Sequence, residues 1–320
     1  MISHRTCARI RPAALAAVIA ACSPPLLGAP LQQAAAAAEK AAEQAPQCAA
    51  VAPFYWEIGD ADGVLASGSV GAEYTADSEM KIASASKWVW GAYVLEKTRG
   101  ALSDAQRAML QMRSGFRAFN PLRCLLSRSV QGCMERAGGA ERDPAAVGRF
   151  AYSGGHSQRL ALDLGLGALG ADALTSEVLS VLGGGLDFRY ARAQLAGGME
   201  STPAAYGEFL RRILSGRLRM REFLGRDAVC TLPRACPGAL YSPVPEAWHY
   251  SLNHWVEDDP RTGDGAFSSP GLTGFYPWIS ADKRFYGILA RSELSERASW
   301  NSVLCGREIR KAWIAAAVPE

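Results

Sequence analysis

No charge of one sign dominates this sequence, and its basic residues are scattered rather than clustered. Of its 320 residues, 34 are Lys or Arg and 31 are Asp or Glu. A protein that binds nucleic acid or an acidic partner needs a basic surface to attract that ligand. The balance therefore gives no electrostatic reason to expect a nucleic acid or an acidic partner, and neither is predicted.

Histidine is scarce, and two motifs that would indicate other chemistries are missing. Only four histidines occur, and there is no Cys-x-x-Cys pair of the kind that holds zinc. The sequence thus favours neither a metal nor another cofactor. Gly-x-Ser-x-Gly is absent too, which argues against an α/β-hydrolase nucleophile elbow. His156 is interpreted as a first-turn helix residue, and His249 and His254 as structural or cleft-lining residues beside a strand.

The apolar run near the N-terminus, AALAAVIAAC, is too short to span a bilayer as a permanent helix. Three arginines precede it, so residues 1–29 are predicted to be an export signal. The run ends in IAAC, which resembles a bacterial lipobox, so a lipid anchor at Cys22 and an ordinary cleaved signal both stay open. The Ala- and Gln-rich residues 30–47 are interpreted as a tether or disordered leader. We expect a periplasmic or secreted protein, with a membrane-anchored lipoprotein as the alternative.

Two of the eight cysteines fall in the export segment, which leaves six for the folded domain. An even number in an exported chain indicates disulfides rather than free thiols. Sequence alone cannot select one pairing among the fifteen that six cysteines allow. Short spacing favours two local loops and leaves one pair to join the two ends of the domain: Cys124–Cys133, Cys230–Cys236 and Cys48–Cys305.

The order of predicted elements indicates one α/β domain over residues 48–320. Asp62-Gly63 between two apolar runs predicts a β-hairpin, and an apolar helix over 84–99 is stopped by Gly100. A largely helical region follows at about 101–218, and β-like segments and a closing helix end the chain. The sheet is therefore expected to combine strands from both chain ends, with the helical region inserted between them.

A serine and a lysine three residues apart begin the predicted apolar helix. At this spacing in a first turn, the ammonium of Lys87 can reach the hydroxyl of Ser84. Apolar surroundings disfavour the charged lysine, so it could act as a base near neutral pH. The alternative is a merely polar start to a core helix. A second such pair, Ser78 and Lys81, lies in a more polar setting and is interpreted as loop.

Five sequence blocks occur in an order that resembles the serine β-lactamase and penicillin-binding-protein superfamily. The branch concerned holds class C β-lactamases, D-Ala carboxypeptidases and related esterases and amide hydrolases. The blocks span most of residues 53–295, and their order is more specific than any one of them. They read MKIASASKWVWGAYVLEKTRGALS, MLQMRSGF, VGRFAYSGGHSQRLAL, LAGGMESTPAAYGEFLRRILSG and FSSPGLTGFYPWI.

The resemblance implies a β-lactamase-like fold, with an antiparallel sheet flanked by helices, and roles for particular residues. Ser84 would be the acyl-forming nucleophile, and Lys87 and Tyr152 its proton-transfer partners. Whether the lysine or the tyrosine is the base stays open. The oxyanion hole would consist of two backbone N–H groups, those of Ser84 and Leu272.

Two departures from the family pattern bear on the substrate. Gly154 stands where the second signature has asparagine. The third signature, which opens with Lys or His in the family, is read here as Ser269–Gly271, with 272–274 as a less suitable register. Gly154, Ser269 and Gly271 are the predicted substrate-binding positions. The missing cation removes a charge-assisted contact worth about 1.5 to 3 kcal/mol to a substrate carboxylate.

The sequence therefore predicts an exported serine hydrolase that cleaves a small-molecule or peptide-like ester or amide. A β-lactamase or D-Ala-D-Ala carboxypeptidase is the first alternative. A non-catalytic binding protein that keeps the fold is the second, motivated by the weakened second and third signatures. The oligomeric state and the identity of the substrate stay open.

Overall fold

The structure is a computed structural model, and it describes residues 28–317. The predicted export signal, including Cys22 and its lipidation alternative, lies outside the described residues apart from its last two positions. Within the described part of the chain, no helix is both long and apolar enough to cross a membrane.

After two helices at its start, the described chain follows the order that the sequence predicts: a β-hairpin, an apolar helix, a largely helical region, a run of strands and a closing helix. The α-helices are α1 Ala29–Gln44, α2 Pro46–Ala49, α3 Ser86–Lys97, α4 Asp104–Leu110, α5 Val130–Arg136, α6 Gly155–Asp163, α7 Ala171–Leu182, α8 Pro203–Leu214, α9 Met220–Phe223 and α10 Ala298–Ala317. The strands are β1 Phe54–Gly59, β2 Val64–Val70, β3 Met80–Lys81, β4 Phe150–Ala151, β5 Phe188–Tyr190, β6 Met199–Ser201, β7 Val229–Cys230, β8 Ala239–Tyr241, β9 His249–Tyr250, β10 Trp255–Glu257, β11 Ala266–Ser268, β12 Tyr276–Ile279 and β13 Tyr286–Ala290. Short 3₁₀ turns cover Ala83–Ala85, Pro121–Leu126 and Pro144–Ala146.

The main sheet has eight strands in the order β2-β1-β13-β12-β11-β10-β9-β7, and every neighbouring pair is antiparallel. Strand β1 from the start of the domain lies between β2 and β13, with Trp56 opposite Leu289. This confirms the predicted antiparallel sheet with strands from both chain ends. The β1–β2 hairpin is also confirmed, because Asp60 N–H donates to the Gly63 carbonyl across the turn.

Two apolar cores lie on opposite faces of the main sheet. Neighbouring residues of β13 alternate between them, since Ile288 belongs to the core around α3 and α8 and Leu289 to the core around α10. In α3, every residue from Ser86 to Leu95 is buried. A helix that is apolar all round belongs inside a core, and this burial fixes the turn that precedes α3.

The interpretation of residues 30–47 as a tether or disordered leader is wrong for the part that forms α1. Ala34, Ala38 and Ala42 are buried there and pack along α10. These alanines recur every four residues, so they form one stripe of the helix. Alanine has the highest intrinsic helix propensity, and its small side chain lets the two helices approach closely.

All three favoured disulfides are present. Cys48–Cys305 joins α2 to α10, with 4.6 Å between the Cα atoms. Cys124–Cys133 staples the loop before α5, and Cys230–Cys236 closes a short loop after β7. The pairing of the chain ends follows from the sheet, which brings the start of the domain beside the final helix.

Candidate active site

Ser84 lies in the 3₁₀ turn Ala83–Ala85, immediately before α3 rather than within its first turn. Its Oγ accepts a hydrogen bond from Lys87 Nζ at 2.9 Å. Lys87 Nζ also donates to the Ala196 carbonyl at 2.8 Å. Ser84 is partly exposed whereas Lys87 is only 3% exposed. The pair is thus placed with an accessible hydroxyl in front of a buried amine.

The environment of Lys87 favours the neutral amine. Burial lowers the pKa of Lys87 to about 7, because desolvation disfavours a charged group. Among the described residues, no carboxylate lies within ion-pair distance of its Nζ. A sizeable fraction of Lys87 is therefore unprotonated near neutral pH. The competing pair has a different setting, since Lys81 is exposed and Ser78 Oγ accepts from the Thr75 N–H.

A separate two-stranded sheet, formed by β4 and β8, brings Tyr152 to the same place. Strand β4 pairs in parallel with β8, and Tyr152 N–H donates to the Tyr241 carbonyl at 3.1 Å just beyond it. Lys87 Nζ lies 4.7 Å from the centroid of the Tyr152 ring. Burial raises the pKa of Tyr152 to about 12, although hydrogen bonding with Ser84 and Trp255 lowers it. The phenol therefore keeps its proton at neutral pH.

Trp255 is a site residue that the sequence interpretation missed. Its ring stacks on that of Tyr152, with centroids 5.3 Å apart and an interplanar angle of 25°. Tyr250 packs edge-on against both rings. Strands β9 and β10 supply these aromatic side chains, and no spacing rule connects them to a tyrosine a hundred residues earlier. The only signal was the aromatic-rich segment HYSLNHWVE itself.

The segment after β11 lies against the turn that holds Ser84. Ser269 Oγ donates to the Ser84 carbonyl at 3.1 Å, and Thr273 Oγ1 donates to the Lys81 carbonyl at 3.0 Å. Gly271 is needed for this approach, because a Cβ there would be 2.4 Å from the Ile82 carbonyl oxygen. The Ser269 hydroxyl thus donates to the backbone, so only its oxygen is left to accept a hydrogen bond from a ligand.

The two predicted oxyanion donors are both unengaged in the described chain. Between residues 28 and 317, neither the Ser84 N–H nor the Leu272 N–H has a hydrogen-bond acceptor. The Leu272 side chain is 63% exposed, and both residues line one cavity of about 140 Å³. Two free N–H groups on the same cavity are what a developing oxyanion would need.

Gly154, at the asparagine position of the second signature, is explained by its neighbours. A Cβ there would be 2.9 Å from two carbons of the Phe119 ring and 3.3 Å from Ala196 Cβ. Phe119 precedes the loop stapled by Cys124–Cys133 and packs on that disulfide. The ring therefore occupies the space into which an asparagine side chain would project, and the missing amide has been replaced by an apolar wall.

The three histidines of the described part of the chain do not line the Ser84 cavity. His156 is buried at the start of α6, where Nδ1 is 2.7 Å from Ser114 Oγ and Nε2 is 3.0 Å from the Ala151 carbonyl. Burial lowers its pKa to about 4. His254 is buried against Trp88, and His249 pairs with an aspartate. Among the described residues, no three His, Cys, Asp or Glu side chains are grouped as metal ligands.

Several solved structures have an architecture similar to that of this chain. The D-amino acid amidase of Ochrobactrum anthropi, solved with L-phenylalanine, is 14% identical with a TM-score of 0.62, covering 87% of this chain and 98% of that one. A simvastatin synthase mutant from Aspergillus terreus is 16% identical with a TM-score of 0.60, covering 92% and 99%. A candidate β-lactamase from Bacteroides dorei is 21% identical with a TM-score of 0.61, covering 82% and 93%.

No protein-family model and no curated protein matches the chain. The likeness to the solved structures is therefore one of fold. That fold is the β-lactamase-like fold that the five sequence blocks predict. At these identities the chemistry has to be argued from this chain's own residues.

Proposed function

We propose that this protein is an exported serine hydrolase that cleaves an ester or amide through an acyl-enzyme on Ser84. The observation that carries the proposal is the contact of 2.9 Å between Lys87 Nζ and Ser84 Oγ, made by a lysine whose pKa burial lowers to about 7. A lysine that serves only to begin a helix has no need of this burial, which costs stability.

In the proposed reaction, neutral Lys87 takes the proton of Ser84 as Oγ attacks the substrate carbonyl carbon. The oxygen of the tetrahedral intermediate lies at the N–H groups of Ser84 and Leu272. As the carbon–heteroatom bond breaks, a proton passes from Lys87 through the Tyr152 phenol to the leaving alcohol or amine. Water then attacks the acyl carbonyl, gives one proton back along the same route to Ser84, and releases the carboxylic acid.

The two pKa directions favour Lys87 over Tyr152 as the base. At pH 7 about half of Lys87 is unprotonated, whereas a phenol of pKa about 12 is almost wholly protonated. A general base is most effective when its pKa lies near the working pH. Tyr152 is better suited to relay a proton to the leaving group than to remove one from serine.

A neutral ester or amide suits the site better than a β-lactam or a peptide carboxyl terminus. Ser269, at the position of the family cation, donates to the Ser84 carbonyl, and Phe119 fills the space beside Gly154. Neither position offers a charged contact to a substrate carboxylate. The amidase from Ochrobactrum anthropi, whose structure was also solved with L-phenylalanine amide, makes an amide a reasonable first substrate class.

Export to the periplasm or to the medium is part of the proposal. The six cysteines of the described chain form three disulfides, which persist in oxidising compartments. Lipid anchoring at Cys22 is the further alternative, and mass spectrometry of the protein from its native host distinguishes an acylated from a simply cleaved N-terminus.

Labelling with a fluorophosphonate probe tests the proposed nucleophile. We expect one equivalent of label, located by peptide mapping on Ser84 and lost in Ser84→Ala. Ser78→Ala is the matched control, because it removes the serine of the competing pair and should label normally. Label that persists in Ser84→Ala overturns the assignment. Rapid turnover of a chromogenic cephalosporin would instead favour the β-lactamase alternative.

A further inference from the structure

The cavity beside Ser84 combines aromatic walls with a single carboxylate. Trp255 and Trp300 form two of its sides, and Val244 and Val303 extend the apolar surface. Glu296 is exposed and lines the same cavity. Among the described residues that line it, Glu296 is the only Asp, Glu, Lys, Arg or His. A cationic group bound there would lie near one negative charge and near two indole rings.

No described cation lines the cavity together with Glu296. The amine of Lys87 does contact Ser84, which lines the cavity, but burial favours its neutral form. A second cation, Arg307, has its guanidinium 5.8 Å from the Trp300 ring centroid. Arg307 is only 5% exposed, and it donates to both carboxylate oxygens of Glu246, at 3.0 and 2.8 Å, so its charge is already paired. Glu296 itself has no ion-pair partner among the residues that the structure describes.

One feature next to Glu296 would instead attract an anion. Helix α10 begins at Ala298, two residues after Glu296, and the N-terminus of a helix attracts anions. The partial charge of a helix end is about half a unit and acts over one turn, whereas the carboxylate carries a full unit. A substrate carboxylate that used that helix end would approach Glu296, the one charged residue among those that line the cavity, and this favours a cation over an anion.

We propose that the substrate carries a cationic amine together with an apolar or aromatic group, within a few bonds of the carbonyl that Ser84 attacks. This inference rests on the proposed function and names its substrate class. The aromatic walls would hold the apolar part and contact the cation through their faces. In the related enzymes, a Lys or His at the position of Ser269 favours substrates that carry a carboxylate. The acid at Glu296 would instead favour substrates that carry a cation.

A pair of isosteric substrates tests the inference. Nitrophenyl esters of para-trimethylammonio-phenylacetate and para-tert-butyl-phenylacetate have nearly the same shape and differ by one charge that no pH change removes. We expect a kcat/KM ratio of about ten in favour of the cationic ester, typical of one ion pair with an aromatic contact. The para-carboxy ester should be the poorest of the three. Spontaneous hydrolysis of each ester is subtracted.

Substitution of the carboxylate makes the test specific. Glu296→Gln should reduce the cationic-to-neutral ratio to near one. Glu308→Gln, on α10 but outside the cavity lining, should leave the ratio unchanged. Equal ratios in the wild type and in Glu296→Gln, or a preference for the carboxylate ester, would overturn the inference.

A binding measurement separates this inference from the proposed function. The two phenylacetamide analogues, charged and neutral, can be titrated into Ser84→Ala with intrinsic tryptophan fluorescence as the signal, since Trp255 and Trp300 line the cavity. The cationic analogue should bind about tenfold more tightly. Equal affinities would contradict the charge preference, even if Ser84 of the wild type is acylated. A charge preference in a protein that is not acylated would contradict only the proposed hydrolase function.

Discussion

Lys87 gives the most demanding prediction, because one substitution should lower activity and raise stability together. Folding lowers the pKa of this lysine from an ordinary value of 10.5 to about 7. That difference corresponds to about 5 kcal/mol of free energy of unfolding. Lys87→Met removes this cost but also loses two hydrogen bonds, to Ser84 and Ala196, of about 1 kcal/mol each. We expect a net gain of about 3 kcal/mol at pH 7.

The pH dependence identifies the cause. Because the folded pKa of Lys87 lies below the unfolded value, the unfolded state binds more protons between pH 7 and pH 10.5. The stability of the wild type should therefore rise with pH across that window, while Lys87→Met lacks this term. The advantage of Lys87→Met is largest at and below pH 7, falls by about 1.4 kcal/mol per pH unit above it, and should vanish near about pH 9. Lys81→Met, which removes an exposed lysine, is the control.

Urea unfolding at pH 7 and pH 10 measures the stability difference, and the rate of fluorophosphonate labelling measures the reactivity of Ser84. The labelling rate of the wild type should rise tenfold per pH unit below about 7 and level off above it. In Lys87→Met it should fall by about 10² or more, as expected for loss of a general base. A stability difference that is independent of pH, or a labelling rate that Lys87→Met leaves unchanged, would refute the reasoning.

Three further substitutions test the surroundings of the site. Trp255→Phe keeps a stacked ring but removes the side-chain hydrogen bond to the Tyr152 phenol, the proposed proton relay, so turnover should fall about tenfold while stoichiometric labelling persists. Gly154→Asn should destabilise the protein by about 1 to 3 kcal/mol through overlap with Phe119, and adding Phe119→Ala should recover part of that loss in urea unfolding. Replacing Cys48 and Cys305 by serine should cost about 2 to 5 kcal/mol in the same assay, and an unchanged midpoint would contradict a structural role.

The sequence predicted best those parts of the site that lie close together along the chain. Ser84 and Lys87 are three residues apart, so local geometry alone brings their side chains into contact. The role of Tyr152 is predicted only from the family resemblance, because no short spacing in the sequence links it to Ser84. The contacts of Trp255, Phe119 and the cavity carboxylate depend on how separate loops and strands pack, and a single sequence carries no direct record of that packing.

The wrong prediction for residues 30–47 has a different cause. The interpretation of residues 30–47 as a tether rests on their composition, but an alanine-rich sequence is equally typical of a helix. The informative signal was positional, since Ala34, Ala38 and Ala42 repeat at the spacing of one helix face. Small side chains give this stripe little hydrophobic contrast, so only the partner helix α10 reveals that it is buried. The disulfides were easier to predict, because the expected sheet brings Cys48 and Cys305 together.

Direct trapping of the acyl-enzyme is the measurement closest to the central claim. The para-trimethylammonio-phenylacetate ester is mixed with the protein, quenched in acid within milliseconds to seconds, and analysed by intact mass and peptide mapping. The account predicts a mass increase of one acyl group on the peptide that contains Ser84, decaying as product appears and absent in Ser84→Ala. Product formed at the wild-type rate by Ser84→Ala, or an acyl group found on another residue, would contradict it.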